Sequence, residues 1–429
     1  MFVQNILYIC SVIIIEMKRL IYILVCFTVS CVFFSCSTKP VAKPDYYSFY
    51  TEKQLREMRE NGRAQAKAYF QELESTHPDS VTVLNLSWAH LDTLPDLSKY
   101  NKVEIIDFSG NETPRVDKSL FTSDSLRIVR LDRCDIREID FPEGNHIKSL
   151  NLTNNQLDRI PASIRKCKNL RSLNLEGNHI RHIPRWLLEL DSLEDINLNF
   201  NQLKLRKSDI RRLAKVQQLL IAGNNIEQLP SNIVKLRCES MNLAKNKLHA
   251  LPKSFAQLKQ LKSVIFYENN FENIPELLTD FKNLKHLDFY KNNLTEIPDF
   301  VGTMENLEQL YVSYNKIEKI PDTLRHLRRL KHLYIHHNEL HFLPEWLAEM
   351  DSIERLGVGF NHLLVLPDLS GMKSLIEFDC EKNLLERIPW ELIEKPEIEM
   401  IVIRNNDFTL TPEEEAKLKK ASKTKTIVY

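Results

Sequence analysis

The residues best equipped for chemistry or recognition lie between Tyr267 and Glu381. Tyr267, Tyr290, Tyr311, Tyr314 and Tyr334 alternate there with His286, His332, His336 and His337, followed by Arg355, Phe360, Glu377, Asp379 and Glu381. Aromatics exposed in one stripe suit a binding surface, because tyrosine offers a broad ring and a hydrogen-bonding group at low entropic cost. Tyr267, Tyr290, Tyr311, Tyr314, Tyr334, His336, Arg355, Phe360 and Asp379 are accordingly the candidate ligand contacts. The bland alternative is that tyrosine simply suits strands; confinement of the enrichment to adjacent segments favours binding. A metal is not expected, since His332 and His336, four residues apart on a strand, would stand roughly 13 Å from each other. Asp379 and Glu381, about 7 Å apart at strand spacing, could mimic a glycosidase pair, but a solvated acidic edge is the expectation. Glycine-rich phosphate loops, GxSxG and HExxH motifs are absent from the sequence, so no catalytic residue, metal or cofactor is expected.

Every residue of the stripe occupies an equivalent place in a repeating segment. The pattern aliphatic-x-x-aliphatic-x-aliphatic-x-x-Asn-x-aliphatic begins at Val81, Val103, Leu126, Ile147, Leu170, Leu193, Val216, Cys238, Leu261, Leu284, Leu307, Leu330, Ile353, Leu375 and Ile398. Ten of the fourteen steps are 23 residues and the others 22 or 21, a regularity that marks a solenoid whose units bury their apolar sides against neighbours. The fourth and sixth positions point inward at strand period, as with Leu287 and Phe289, while the third, fifth and seventh point out. The ninth is Asn in thirteen units, with Ala89 and Cys134 in the first and third; an amide there can satisfy turn backbone that has no sheet partner. Ile-Pro or Leu-Pro then closes most units, as at Ile160-Pro161 and Ile297-Pro298, ending the pairing. Segments such as 345–350 could form a short helix or single turn. Units two, three and six lack the proline, and 203–208 in unit six predicts a kink or irregular loop.

Segments such as Leu170-Arg-Ser-Leu-Asn-Leu-Glu-Gly-Asn-His-Ile180 and 284–294 resemble the leucine-rich repeat family, over about three quarters of the chain. The resemblance implies an α/β horseshoe with a parallel sheet on its concave face. About 15 repeats are expected over 81–410. Gly357 and Gly359 beside bulky aromatics predict a recess walled by Glu377, Asp379 and Glu381.

The ends carry different information. Thr51 and Gln54 resemble a capping box ahead of Leu55, Met58, Ala66, Tyr69, Phe70 and Leu73 at helical spacing, predicting a cap over 51–80. A second helical cap is expected in 411–429, where Pro412-Glu-Glu-Glu-Ala-Lys-Leu418 has its charges ordered for the helix dipole. Met17-Lys18-Arg19, an apolar run and Phe33-Phe34-Ser35-Cys36 resemble a bacterial lipoprotein signal. The resemblance implies a signal peptide over 1–35, a start at Met17, and Cys36 as the lipidated first mature residue. An uncleaved helix from Phe2 to Phe34 is the alternative. Lys39-Pro40 and Lys43-Pro44 make 36–50 an extended tether. Ser37 after the acylated Cys implies the outer membrane of a Gram-negative envelope.

With 58 basic and 58 acidic side chains there is no net field for nucleic acid. Cys134, Cys167, Cys238 and Cys380 fall at inward positions without CxxC spacing and are expected as small buried hydrophobes. The expected function is non-enzymatic binding of a protein or peptide by a monomeric lipoprotein. Glycan binding by the tyrosine stripe is the alternative, and a hydrolase is ranked below both.

Overall fold

A computed structural model of the chain describes residues 51–91 and 96–429. The lipidation site Cys36, the signal 1–35 and the tether 36–50 lie outside the described residues. The chain divides into two compact units, 1–58 and 59–429; the described part of the first is the start of a helix that runs Glu52–Ser75. At that start Thr51 N donates to Gln54 Oε1 at 2.8 Å and Gln54 N donates back to Thr51 Oγ1 at 3.3 Å.

The second unit is built on one parallel sheet of 16 strands that pair strictly in chain order. Each repeat contributes its third to fifth residues, so Ser149-Leu-Asn151 lies beside Ser172-Leu-Asn174 and then Asp195-Ile-Asn197. Fifteen strands were expected. The sixteenth, Thr426–Val428, falls outside the repeat pattern and pairs in parallel with Met400–Val402. It follows the helix Pro412–Ala421, whose Thr411 and Glu414 cap each other and whose Leu418 enters the core. Lys425 Nζ donates to the carbonyl of Ile393 at 2.9 Å, fixing the link between helix and strand.

The strands are only three residues long, so the turns must hold them in place. Asn292 illustrates how. Its Nδ2 donates to the carbonyls of Phe289 at 3.1 Å and of Phe266, one unit earlier, at 3.0 Å. Its Oδ1 accepts from Phe271 N at 3.1 Å. The same triple bridge recurs at Asn155, Asn178, Asn269, Asn315 and Asn338. An amide there satisfies buried backbone that would otherwise cost about 1–3 kcal/mol per orphaned group. Cys134 keeps one of these bonds, from Sγ to the Phe108 carbonyl at 3.2 Å. All four described cysteines are buried and free. Burial pushes the thiols of Cys134, Cys167 and Cys238 up to about 12, which removes them as nucleophiles at neutral pH.

On the convex side, prolines open 3₁₀ turns such as Ala162–Lys166, Asp299–Thr303, Asp322–His326 and Glu345–Glu349. Units without the proline do something else. Arg115–Val116 and Glu138–Ile139 of units two and three form a second, two-stranded parallel sheet. In unit six the irregular stretch expected over 203–208 is found at 203–206, and it gives way to an α-helix, Lys207–Arg212. Buried Asp209 explains it, accepting from Arg206 N and from Arg212 Nη1, each at 2.8 Å. Its carboxylate satisfies a helix-start amide, so no proline is needed. No helix among the described residues is long and apolar enough to cross a membrane.

Beneath units eight to ten the core is a chain of phenylalanines. Phe266 packs 4.9 Å from Phe289, 5.0 Å from Phe271 and 6.3 Å from Phe255, centroid to centroid. These rings are fully buried, and Phe266, Phe271 and Phe289 belong to units nine and ten, where the aromatic stripe begins.

Candidate functional site

Two rows of rings cross the concave face of units nine to thirteen. The first runs along the strand exits. Tyr267 meets Tyr290 at 5.1 Å, Tyr290 meets Tyr314 at 5.0 Å, Tyr314 stacks on His337 at 3.8 Å, and His337 on Phe360 at 3.9 Å. Lysines close both ends: Lys245 lies 5.4 Å from the Tyr267 centroid and Lys382 lies 5.2 Å from that of Phe360. The second row lies on the strands. His286 meets Tyr311 at 5.1 Å, Tyr311 meets Tyr334 at 5.2 Å, and Tyr334 meets His336 at 5.6 Å. Of the nine ligand contacts expected from sequence, seven belong to these rows; Arg355 and Asp379 lie at their far end. Lys245, Lys382, His286 and His337 complete the rows and were not among the expected contacts.

Backbone geometry aims the exit row. The eighth residue of every unit has positive φ, including Tyr314 at 56°, His337 at 49° and Phe360 at 55°. That region costs an L-residue about 1–2 kcal/mol, and units five and seven meet it with Gly177 and Gly223. Units eleven to thirteen place a large ring there instead, so each ring stands over its neighbour. Glycine or asparagine at the eighth position of other units was the sequence signal for this geometry.

Burial keeps several members of the rows neutral. Burial lowers His286 to about 4, with nearby His332 adding to the effect, and lowers His337 to about 4, with His336 and Lys382 adding. Burial likewise raises the Tyr267 and Tyr290 hydroxyls, which stay protonated at any physiological pH. Most carboxylates here are paired. Glu268 lies 2.6 Å from Lys291 and 3.5 Å from Lys245, Glu354 2.9 Å from Lys331, and Glu377 3.1 Å from Arg355.

The recess expected over Gly357 and Gly359 is filled. His336 extends across the glycine strand of unit thirteen, and its Nε2 lies 3.2 Å from Asp379 Oδ2 in unit fourteen. A Cβ on Gly357 would come within 1.9 Å of His336 Cε1. The glycines therefore make room for a side chain of this same chain, leaving no acidic-walled recess. The acidic edge is not solvated either. Glu381 is buried and held by Arg404 at 2.9 Å, leaving no exposed pair of carboxylates. A separate shallow depression of about 1460 Å³ lies on the convex side among Arg115, Lys118, Arg137 and Arg159, far from these rows in the repeat.

The leucine-rich repeat profile matches residues 145–203, 282–340 and 305–363. No curated protein matches the chain by sequence. Among solved structures, a leucine-rich repeat protein of Leptospira interrogans superposes with a TM-score of 0.70 at 23% identity, over 82% of this chain and 96% of that one. The ectodomain of the Arabidopsis thaliana receptor kinase GASSHO1/SCHENGEN3, in complex with Casparian strip integrity factor 2, gives 0.56 at 21% identity, over 78% and 45%. The plant peptide hormone receptor RGFR1, in complex with RGF2, gives 0.52 at 25% identity, over 76% and 56%. The 16-stranded sheet, the asparagine ladder and these matches make the repeat domain a leucine-rich repeat solenoid, consistent with a horseshoe. Likeness at such identities speaks to fold; what the face does depends on its own side chains.

Proposed function

We propose that this chain is a non-enzymatic binding protein that holds a protein or peptide partner on the two aromatic rows of its concave face. The observation that carries this reading is the run of packed rings from Tyr267 to Phe360, whose last three members stand on left-handed backbone. Rigid aromatic area already ordered before binding loses little entropy on contact. The plant receptors of similar fold were solved with their ligands, which supports the same use here.

Ring geometry favours a polypeptide over a glycan. Tyr314, His337 and Phe360 cover one another's faces, with interplanar angles of 19° and 17°. Stacking on a sugar needs an open ring face, which this packing does not leave between the three.

The reading extends to the cell. The sequence Phe33-Phe34-Ser35-Cys36, followed by Ser37, supports a lipoprotein anchored through Cys36 to the outer membrane of a Gram-negative envelope. Fractionation of the Cys36→Ser variant should move the protein out of the membrane pellet; unchanged sedimentation with membranes would remove the anchor.

The face is tested by affinity capture from envelope extract. Tyr311→Ala with Tyr334→Ala should weaken capture more than about tenfold, as central aromatic anchors do, while the melting temperature moves by only a few degrees. Equal capture by the double variant would end the assignment.

A further inference from the structure

Asp288 lies between the two rows, with His286 of one and Tyr290 of the other two residues away on either side. In the sheet register it lies between Ile265 and Tyr311, and on its own strand between His286 and Tyr290. It is half-buried, and its Oδ1 accepts from Tyr290 N at 2.8 Å. In units nine to fourteen the nearby carboxylates find cations: Glu268, Glu377 and Glu381 pair with lysine or arginine, and Asp379 with His336. Asp288 has no cation within ion-pair distance among the described residues. A desolvated carboxylate without a counter-charge is unfavourable unless something supplies one. Tyrosines flank it in sequence and in register, and an aromatic ring is itself a favourable neighbour for a cation.

Resting on the reading that this face binds a polypeptide, we propose that Asp288 and the tyrosines around it form the specificity site for one cationic side chain, lysine or arginine, of the bound segment.

Protonation behaviour agrees. Burial raises the Asp288 carboxyl to about 7. Its titratable neighbours in sequence and register are Tyr267 and Glu268 from unit nine, His286, Tyr290 and Lys291 from its own unit, and Tyr311 and Tyr314 from unit eleven. Among them the Tyr267 and Tyr290 hydroxyls are raised by burial, and Tyr314 likewise. His286 is lowered to about 4, and Glu268 is held below the usual range by Lys291 and Lys245 in spite of burial. A cationic guest requires the ionised carboxylate. Its affinity should therefore fall as pH drops through about 7, by up to tenfold per unit.

The probe is a phage-displayed library of random heptapeptides, panned on the full chain in detergent. Binders should carry lysine or arginine at one shared position and bind Asp288→Asn at least tenfold more weakly at pH 8. Replacing that basic residue with Nε-acetyl-lysine should cost the same factor, a measurement that leaves the protein untouched. Binders without basic preference that are nonetheless lost in Tyr311→Ala with Tyr334→Ala would overturn this inference and keep the aromatic face. Equal affinity for the acetylated peptide would also overturn it. A library that yields no binders counts against both.

Discussion

His336 is the side chain whose placement depends most on what its neighbours lack. Its ring lies over Gly357 and Gly359, with Nδ1 3.4 Å from Ser313 Oγ and Nε2 3.2 Å from Asp379 Oδ2. Burial alone would raise the Asp379 carboxyl. The hydrogen bond and charge of His336, with the Glu381 amide and Arg404, outweigh that and leave it below the usual range. A carboxylate with a lowered folded pKa adds stability that is present above the ordinary aspartate range and lost as pH falls below it through the lowered folded value. Gly357→Ala should evict His336, because a methyl group there meets Cε1 at 1.9 Å and Tyr334 Cδ1 at 2.7 Å. The expected loss is about 1–3 kcal/mol, the scale of leaving partly buried polar groups without partners. Asp379→Asn should cost less in the Gly357→Ala background than in the wild type, since the bridge is already broken. Strictly additive losses in thermal melts would show that the bridge does not depend on the glycine.

Among the elements, legibility followed period. Fifteen strands stood out in the sequence because two inward aliphatics and one asparagine recur at nearly fixed spacing, and each strand begins two residues after its unit does. Features that repeat once or never did not stand out. The helix Lys207–Arg212 depends on one carboxylate, Asp209, where other units use proline. The two-stranded convex sheet replaces prolines in units two and three. The strand Thr426–Val428 lacks the motif altogether and is fixed by tertiary pairing. The same distinction holds for the candidate site. Alternation placed Tyr267, Tyr290, Tyr311 and Tyr334 on the outward face. It could not show that His336 would cross two glycines to reach Asp379, because that contact skips a whole strand. It also could not reveal that Asp288 alone among its neighbours is left without a cation, since pairing depends on where lysine ammonium groups come to rest.

For the whole repeat domain, a solenoid's stability is close to a sum of unit and nearest-neighbour terms, so damage at one end should stay there. The first strand and the last repeat strand both have their outer edges occupied. Tyr69 Oη donates to the Val83 carbonyl at 3.3 Å and accepts from Asn85 N at 3.3 Å, occupying the open edge of the first strand. At the other end Ile403 N donates to the Val428 carbonyl and Thr426 N to the Glu399 carbonyl, each at 2.8 Å. Deleting residues 426–429 should uncover the Met400–Val402 strand and leave a row of unpaired backbone groups, a template for pairing between molecules. Hydrogen exchange should then speed up in 398–410 while the amides of units nine to eleven keep their protection. Sedimentation velocity should show self-association that grows with concentration. Capture by the aromatic rows should change less than about twofold, because those rows end several strands before the cut and each unit leans only on its neighbours. A loss of protection that reaches back through units nine to eleven would instead mean that the domain unfolds as one cooperative block and that the sixteenth strand supports the binding face itself.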